Sequence, residues 1–253
     1  MSAAILARLV LLEARRGGLP LLALGGIAVG IAFAAFLSQV AVTESRALQA
    51  SLLAAVLRAF AAFLVAAHVT ASTLREINDR GLEFMLSLPL SRATHYLGRL
   101  AGFAAVGVAL AVAFSLPLLA WAPAPAVAAW GFSLACETAL VAAAALFFAM
   151  TLSQVVAAIA ATGGLYLLAR SVDAIRAIAA GPLTEPSLPN QVARLAVDGV
   201  ALLLPPLDAV TRTEWLLYGA PGAAHYLAAL GALVLYTLLL VAAGLFDFYR
   251  RSE

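Results

Sequence analysis

Six apolar stretches constrain this chain more than any other feature, because a helix needs roughly 20 apolar residues to cross a bilayer core. The first runs from about Leu19 to Val42 without a charge. The second, about Leu52 to Ala71, contains Arg58 and His68. The third is about Leu100 to Trp121, and the fourth, about Val127 to Met150, contains Cys136 and Glu137. The fifth, about Val155 to Ala169, is the shortest, and the sixth is about Tyr226 to Phe246. Composition agrees: apolar residues are 64% of the chain and charged residues 11%, against about 25% charged in a soluble domain. Mean hydropathy is +1.03. The expectation is an all-α integral membrane protein with six transmembrane helices, residues 1–253 forming one domain.

The basic residues orient the spans. With six spans both termini lie on one side, together with Arg8, Arg15, Arg16, Arg75, Arg80, Arg92, Arg99, Arg250 and Arg251. The two short loops opposite hold only Arg46. Cytoplasmic loops carry the arginine excess, so both termini are expected on the cytoplasmic side of the membrane; that membrane is expected to be a bacterial inner membrane. All 15 basic residues are arginine and none is lysine, so a phosphate-binding loop of the G-x-x-x-x-G-K-[ST] type cannot exist here. Any ATP and Mg used with this protein must be bound by another chain, and no cofactor is expected on this one. A net charge of +2 gives no ground for nucleic-acid binding. The single cysteine, Cys136, allows no internal disulfide and no C-x-x-C site.

Three segments between or before the spans carry patterns of their own. Residues 75–92 cluster Arg75, Glu76, Asp79, Arg80, Glu83 and Arg92 around a short amphipathic helix. Asn78 or Asp79 can cap its start, and Leu82, Met85 and Leu86 share a face at i, i+3, i+4. Pro89 ends it. A solvated loop would explain the arginines but not this apolar face. Residues 2–17 place Ile5, Leu9 and Leu12 on one side and Arg8, Glu13, Arg15 and Arg16 on the other, the pattern of a helix in the headgroup plane. Gly17-Gly18 breaks it, and Pro20 can start the first span. Residues 170–224 are too long and too apolar for a plain loop. Val172, Ile175 and Ala179 suggest one short helix, Val192 to Leu204 a second that Pro205-Pro206 stops, and Asp208 to Tyr218 a third. These read as short external helices dipping into the membrane surface, tolerable only where protein or a watery cavity satisfies their backbone.

This layout resembles the permease subunits of type-2 ATP-binding cassette exporters. Those proteins have an N-terminal interfacial helix, six spans, a cytoplasmic coupling helix between spans two and three, and short external re-entrant helices before span six. In residues the likeness concentrates at Arg75-Glu76 and at Gly81-Leu-Glu-Phe-Met-Leu-Ser-Leu-Pro-Leu-Ser-Arg92, followed by Tyr96, Gly98 and Arg99. Arg99 stands where family members usually carry lysine. The resemblance implies that Glu83, Phe84, Met85 and Leu86 form the coupling helix and dock in a cleft of a separate ATPase subunit. It also implies that Arg75, Glu76 and Arg80 set the geometry of that contact electrostatically. The other expected partners are a second copy of the permease and the lipid bilayer. The expected cargo is an amphiphile or a small maturation factor.

Other candidates are weaker. Gly26 and Gly30 form a G-x-x-x-G, which lets two helices approach closely, either between two copies or within one. Arg58 and Glu137 are charges inside spans at similar depth and can pair; a structural role is favoured over a functional one. His68, His95 and His225 show no metal-site spacing. Two other classes fit the sequence less well. An intramembrane enzyme lacks support because lysine and H-E-x-x-H are absent and Glu137 is the only clear mid-span carboxylate. A carrier not driven by ATP would be expected to show internal repeats, and none is seen.

Overall fold

The computed structural model describes residues 3–40, 45–79, 91–179, 188–219 and 222–250. Those residues form helices α1 (Ala3–Arg16), α2 (Leu19–Val40), α3 (Ser45–Asn78), α4 (Arg92–Leu118) and α5 (Ala124–Leu152), then α6 (Val155–Ala179), α7 (Leu188–Leu203), α8 (Trp215–Tyr218) and α9 (Ala223–Arg250). A 3-10 turn, Leu207–Ala209, lies between α7 and α8. Six of the helices, α2 to α6 and α9, are long and apolar enough to cross a membrane, which makes this a multi-pass membrane protein.

α5 is the axis of the bundle. It is apolar all round, the pattern of a helix enclosed by others. The run Leu140–Leu146 is buried throughout, and α3, α4, α6 and α9 pack around it. Pro125 sits in its first turn, and Ser153 caps its end in a left-handed conformation. α2 lies outside, against α3, and leaves Leu21, Leu24 and Phe36 exposed. Its Gly26 and Gly30 face α3: a Cβ at Gly26 would lie 2.3 Å from the Phe60 ring, and one at Gly30 2.8 Å from Leu53. The G-x-x-x-G close approach is therefore filled from within the chain.

Several boundaries differ from the sequence reading. α3 has 34 residues, about 51 Å of helix, so it projects well past a hydrocarbon core of about 30 Å. Arg75 and Glu76 consequently sit on its last turns and not in a loop. α4 starts at Arg92, eight residues before the apolar run, because the Ser91 hydroxyl accepts a bond from the Thr94 N–H and caps it. α6 continues through Arg170, Asp173 and Arg176 to Ala179, absorbing the separate helix expected around Val172. The helix expected over Asp208 to Tyr218 is divided. Thr211 adopts φ 51, outside helical geometry, and separates the 3-10 turn from α8.

α1 turns a second apolar face, not singled out in the sequence, to the protein. Ile5, Leu9 and Leu12 are exposed, whereas Leu6, Val10 and Ala14 are buried. The buried face packs on α4, where Gly98 and Gly102 leave no side chain in the way. A Cβ at Gly98 would lie 3.1 Å from both Cα and O of Ala3, and one at Gly102 would lie 3.0 Å from the same atoms of Ala7. Small residues four apart on both helices permit this backbone approach, as in membrane helix pairs. α1 therefore has two apolar stripes, one on α4 and one facing outward.

Candidate functional site

α3 ends at Asn78 and α4 begins at Arg92, so these two helices flank the segment 80–90. Arg80, Glu83, Phe84, Met85 and Leu86 lie outside the described residues. Arg75 and Glu76 are described, and they belong to a polar cluster joining three helices at this end of the bundle. Ser72, Arg75 and Glu76 recur at i, i+3 and i+4, one face of α3. The Ser72 hydroxyl donates to Glu13 of α1 at 2.8 Å and accepts from Arg99 of α4 at 3.1 Å. Arg75 lies 3.8 Å from Glu13, an exposed and therefore weak ion pair. Glu76 makes an ion pair with Arg99 and lies 3.6 Å from His95 Nε2.

Arg99 is the keystone of this cluster. Its residue is only 4% exposed, and a charge so enclosed must be paired. Glu76 supplies the counter-charge, Ser72 a hydrogen bond, and the Phe103 ring a cation–π face 5.3 Å away. His95 stacks on Phe248 of α9, and Tyr96 is fully buried against the same ring. Gly244 of α9 admits the Tyr96 hydroxyl, since a Cβ there would lie 2.1 Å from it. A cavity of about 320 Å³ opens between Glu13, Arg75, Asp79 and His95. Chemically the cluster is a brace: it fixes the two helix ends that border residues 80–90 to each other, to α1 and, through His95, to α9.

The opposite end of the bundle holds a second polar cluster. Glu137 is fully buried, accepts the Tyr166 hydroxyl at 2.7 Å and lies 3.7 Å from Arg170. Arg58 does not pair with it directly. It donates instead to the Thr211 carbonyl at 2.8 Å. Arg170 donates to the carbonyls of Leu207, of Val210 at 2.9 Å and of Thr211 at 3.1 Å. Thr211 and Ser133 hydroxyls meet at 2.6 Å. A β-branched residue at positive φ is strained, and here two guanidiniums and a hydroxyl hold it. Both arginines thus spend their donors on backbone carbonyls of the α7–α8 connection, turning it into the bundle. Beside this turn, Asp208 is pushed up to about 6, first by burial and then by its hydrogen bond and repulsion with Asp173, with Arg212 opposing.

The sequence pointed to Arg75, Glu76, Arg58 and Glu137 but not to their partners. Arg170 and Tyr166 stand one turn apart on α6, but by hydropathy Arg170 falls beyond the fifth span, at the start of the 170–224 connection. Glu13, Ser72 and His95 gave no signal beyond helical spacing. Among the described residues no group of three or more His, Cys, Asp or Glu is placed to hold a metal ion. No family model matches the chain, and no curated protein matches it.

Proposed function

We propose that the chain is the transmembrane permease subunit of a type-2 ATP-binding cassette exporter. Two copies would assemble with two ATP-hydrolysing subunits in a bacterial inner membrane, with both termini in the cytoplasm. The observation that carries this reading is the braced pair of helix ends on either side of residues 80–90. That segment has the sequence of an amphipathic helix with a Leu82-Met85-Leu86 face. A soluble subunit that closes on ATP can do work on a membrane bundle only through an element stiffly joined to it. Arg99, Glu76, Ser72 and Glu13 supply that junction, so displacement of the segment moves α1, α3 and α4 together. Removing one partner of a buried ion pair costs about 3–5 kcal/mol, so loss of Arg99 or Glu76 would loosen the junction.

A chain without lysine cannot form the lysine-bearing phosphate loop, which supports hydrolysis on the partner, and six spans offer little interior for a transport route, which favours one at the interface of two copies. The test is to purify the chain from its own host in mild detergent and assay the preparation for Mg-dependent ATP hydrolysis. An ATPase subunit in equal stoichiometry, whose hydrolysis changes when the permease is present, is the expected outcome. Transport by the reconstituted chain alone, without ATP, would refute the proposal.

A further inference from the structure

α1, α2 and α4 enclose an apolar groove of about 610 Å³, open along its outer side. Leu12 of α1, Ala23 and Ile27 of α2, and Leu110 and Ala113 of α4 line it. Small side chains make the slot: alanines stand where larger residues would close it. Along α2 it reaches from Leu19 to Ile27, about 12 Å of helix. That is short of half a hydrocarbon core of about 30 Å, so the groove is one leaflet deep and not a passage.

Its rim is basic. Arg8 and Arg15 stand two helical turns apart on α1 and border the groove at its α1 edge. Both are exposed, and neither has an ion-pair partner among the described residues. Glu13, the acid nearest in sequence, is engaged by Ser72 and Arg75 on the opposite side of the helix. An apolar slot one leaflet deep beneath two unpaired guanidiniums is complementary to one kind of molecule in a bilayer.

We propose that this groove is a binding site for an anionic phospholipid, with an acyl chain between α2 and α4 and its phosphate on Arg8 and Arg15. Guanidinium matches phosphate in charge and in bidentate geometry. A resident lipid would fill the space between α1 and the bundle and hold α1 at the membrane surface. The inference needs only that the chain spans a membrane, and it stands whether or not an ATPase drives the protein.

Native mass spectrometry of the purified protein tests it, with phosphatidylglycerol and phosphatidylcholine of identical acyl chains titrated in turn. Two arginines near a lipid surface predict a preference for phosphatidylglycerol of roughly tenfold or more. Arg8→Gln with Arg15→Gln should bring phosphatidylglycerol down to the phosphatidylcholine level. Both residues are exposed, so the fold is not at risk. Ala109→Phe, at the groove edge, should weaken both lipids severalfold, and Arg46→Gln at the far end should change neither. Equal binding of the two lipids, or a preference that survives the double variant, would overturn the proposal. So would displacement of the lipid by glycerol phosphate at equal concentration, which would show that the arginines read a soluble anion and the groove nothing.

Discussion

Gly102→Leu should lift α1 off the bundle while leaving the spans in place. A Cβ at position 102 would lie 2.7 Å from Val10 Cβ and 3.0 Å from Ala7 Cα and O. Two of these three atoms are backbone, so no rotamer change relieves the contact and the helix itself must move. Moving it uncovers Leu6, Val10 and Ala14, at 3%, 5% and 5% exposure. Those side chains would exchange protein for lipid or interface, so the loss is one of packing more than of hydrophobic burial. Overpacking of this kind costs about 1–3 kcal/mol. That is roughly a 5- to 150-fold shift in the docking equilibrium. The readout is an Ala14→Cys probe in a Cys136→Ser background, with the rate of thiol labelling measured in detergent. Gly102→Leu should speed labelling at least fivefold, with helicity by circular dichroism unchanged. Gly25→Leu, which would meet nothing within 4 Å, should leave the rate alone. A labelling rate in Gly102→Leu equal to that of the parent would refute the account of α1 docking.

Three further outcomes follow from the same geometry. Arg170→Leu should lower thermal stability by about 3–5 kcal/mol, since it removes the counter-charge of Glu137 and one donor from each of three carbonyls, whereas Glu137→Gln keeps the Tyr166 bond and should be milder in the same melting assay. Asp208 has its folded value raised to about 6 from an ordinary 3.8, so the folded state binds the extra proton; its contribution is complete below about pH 4 and lost as pH rises through 6. Melting temperatures from pH 4 to 8 should show that decline, and Asp208→Asn should flatten it. Under the proposed orientation, Glu214→Cys should react with an impermeant thiol reagent in intact cells and Asp79→Cys only after permeabilisation, both in the Cys136→Ser background; the reverse pattern would invert the topology.

Number and type of spans were legible because a helix inside a bilayer is apolar whether it faces lipid, as much of Leu19–Val40 does, or other helices, as Ala124–Leu152 does. Helix ends were less so. A helix leaving the bilayer needs no apolar face, and α3 and α6 continue through Arg75-Glu76 and Arg170-Asp173-Arg176 because those charges find partners at the bundle ends. Partner choice was also hidden. Arg58 and Glu137 stand at similar depth, yet α6 brings Arg170 to the carboxylate while Thr211 occupies Arg58. Depth can be read from a sequence, but the order of helices around α5 cannot. Gly98 and Gly102 did carry a signal for the α1 contact, the same four-residue spacing of small residues seen at Gly26 and Gly30.

The most direct test of the transporter reading is Met85→Asp. Met85 lies on the sequence-predicted apolar face between the braced ends of α3 and α4, and in a docking cleft an aspartate there would be buried without a partner. Loss of one anchor from such a helix-in-groove contact costs about 2 kcal/mol or more, roughly a thirtyfold loss of affinity. The variant is predicted to insert and melt like the parent, because residue 85 is outside the spans, and to lose its ATPase subunit on purification together with ATP-dependent transport. Glu83→Ala, on the polar side, should retain the subunit and reduce transport per ATP hydrolysed. If Met85→Asp keeps both the ATPase and full transport, residues 80–90 are an ordinary topogenic loop and the assignment is wrong.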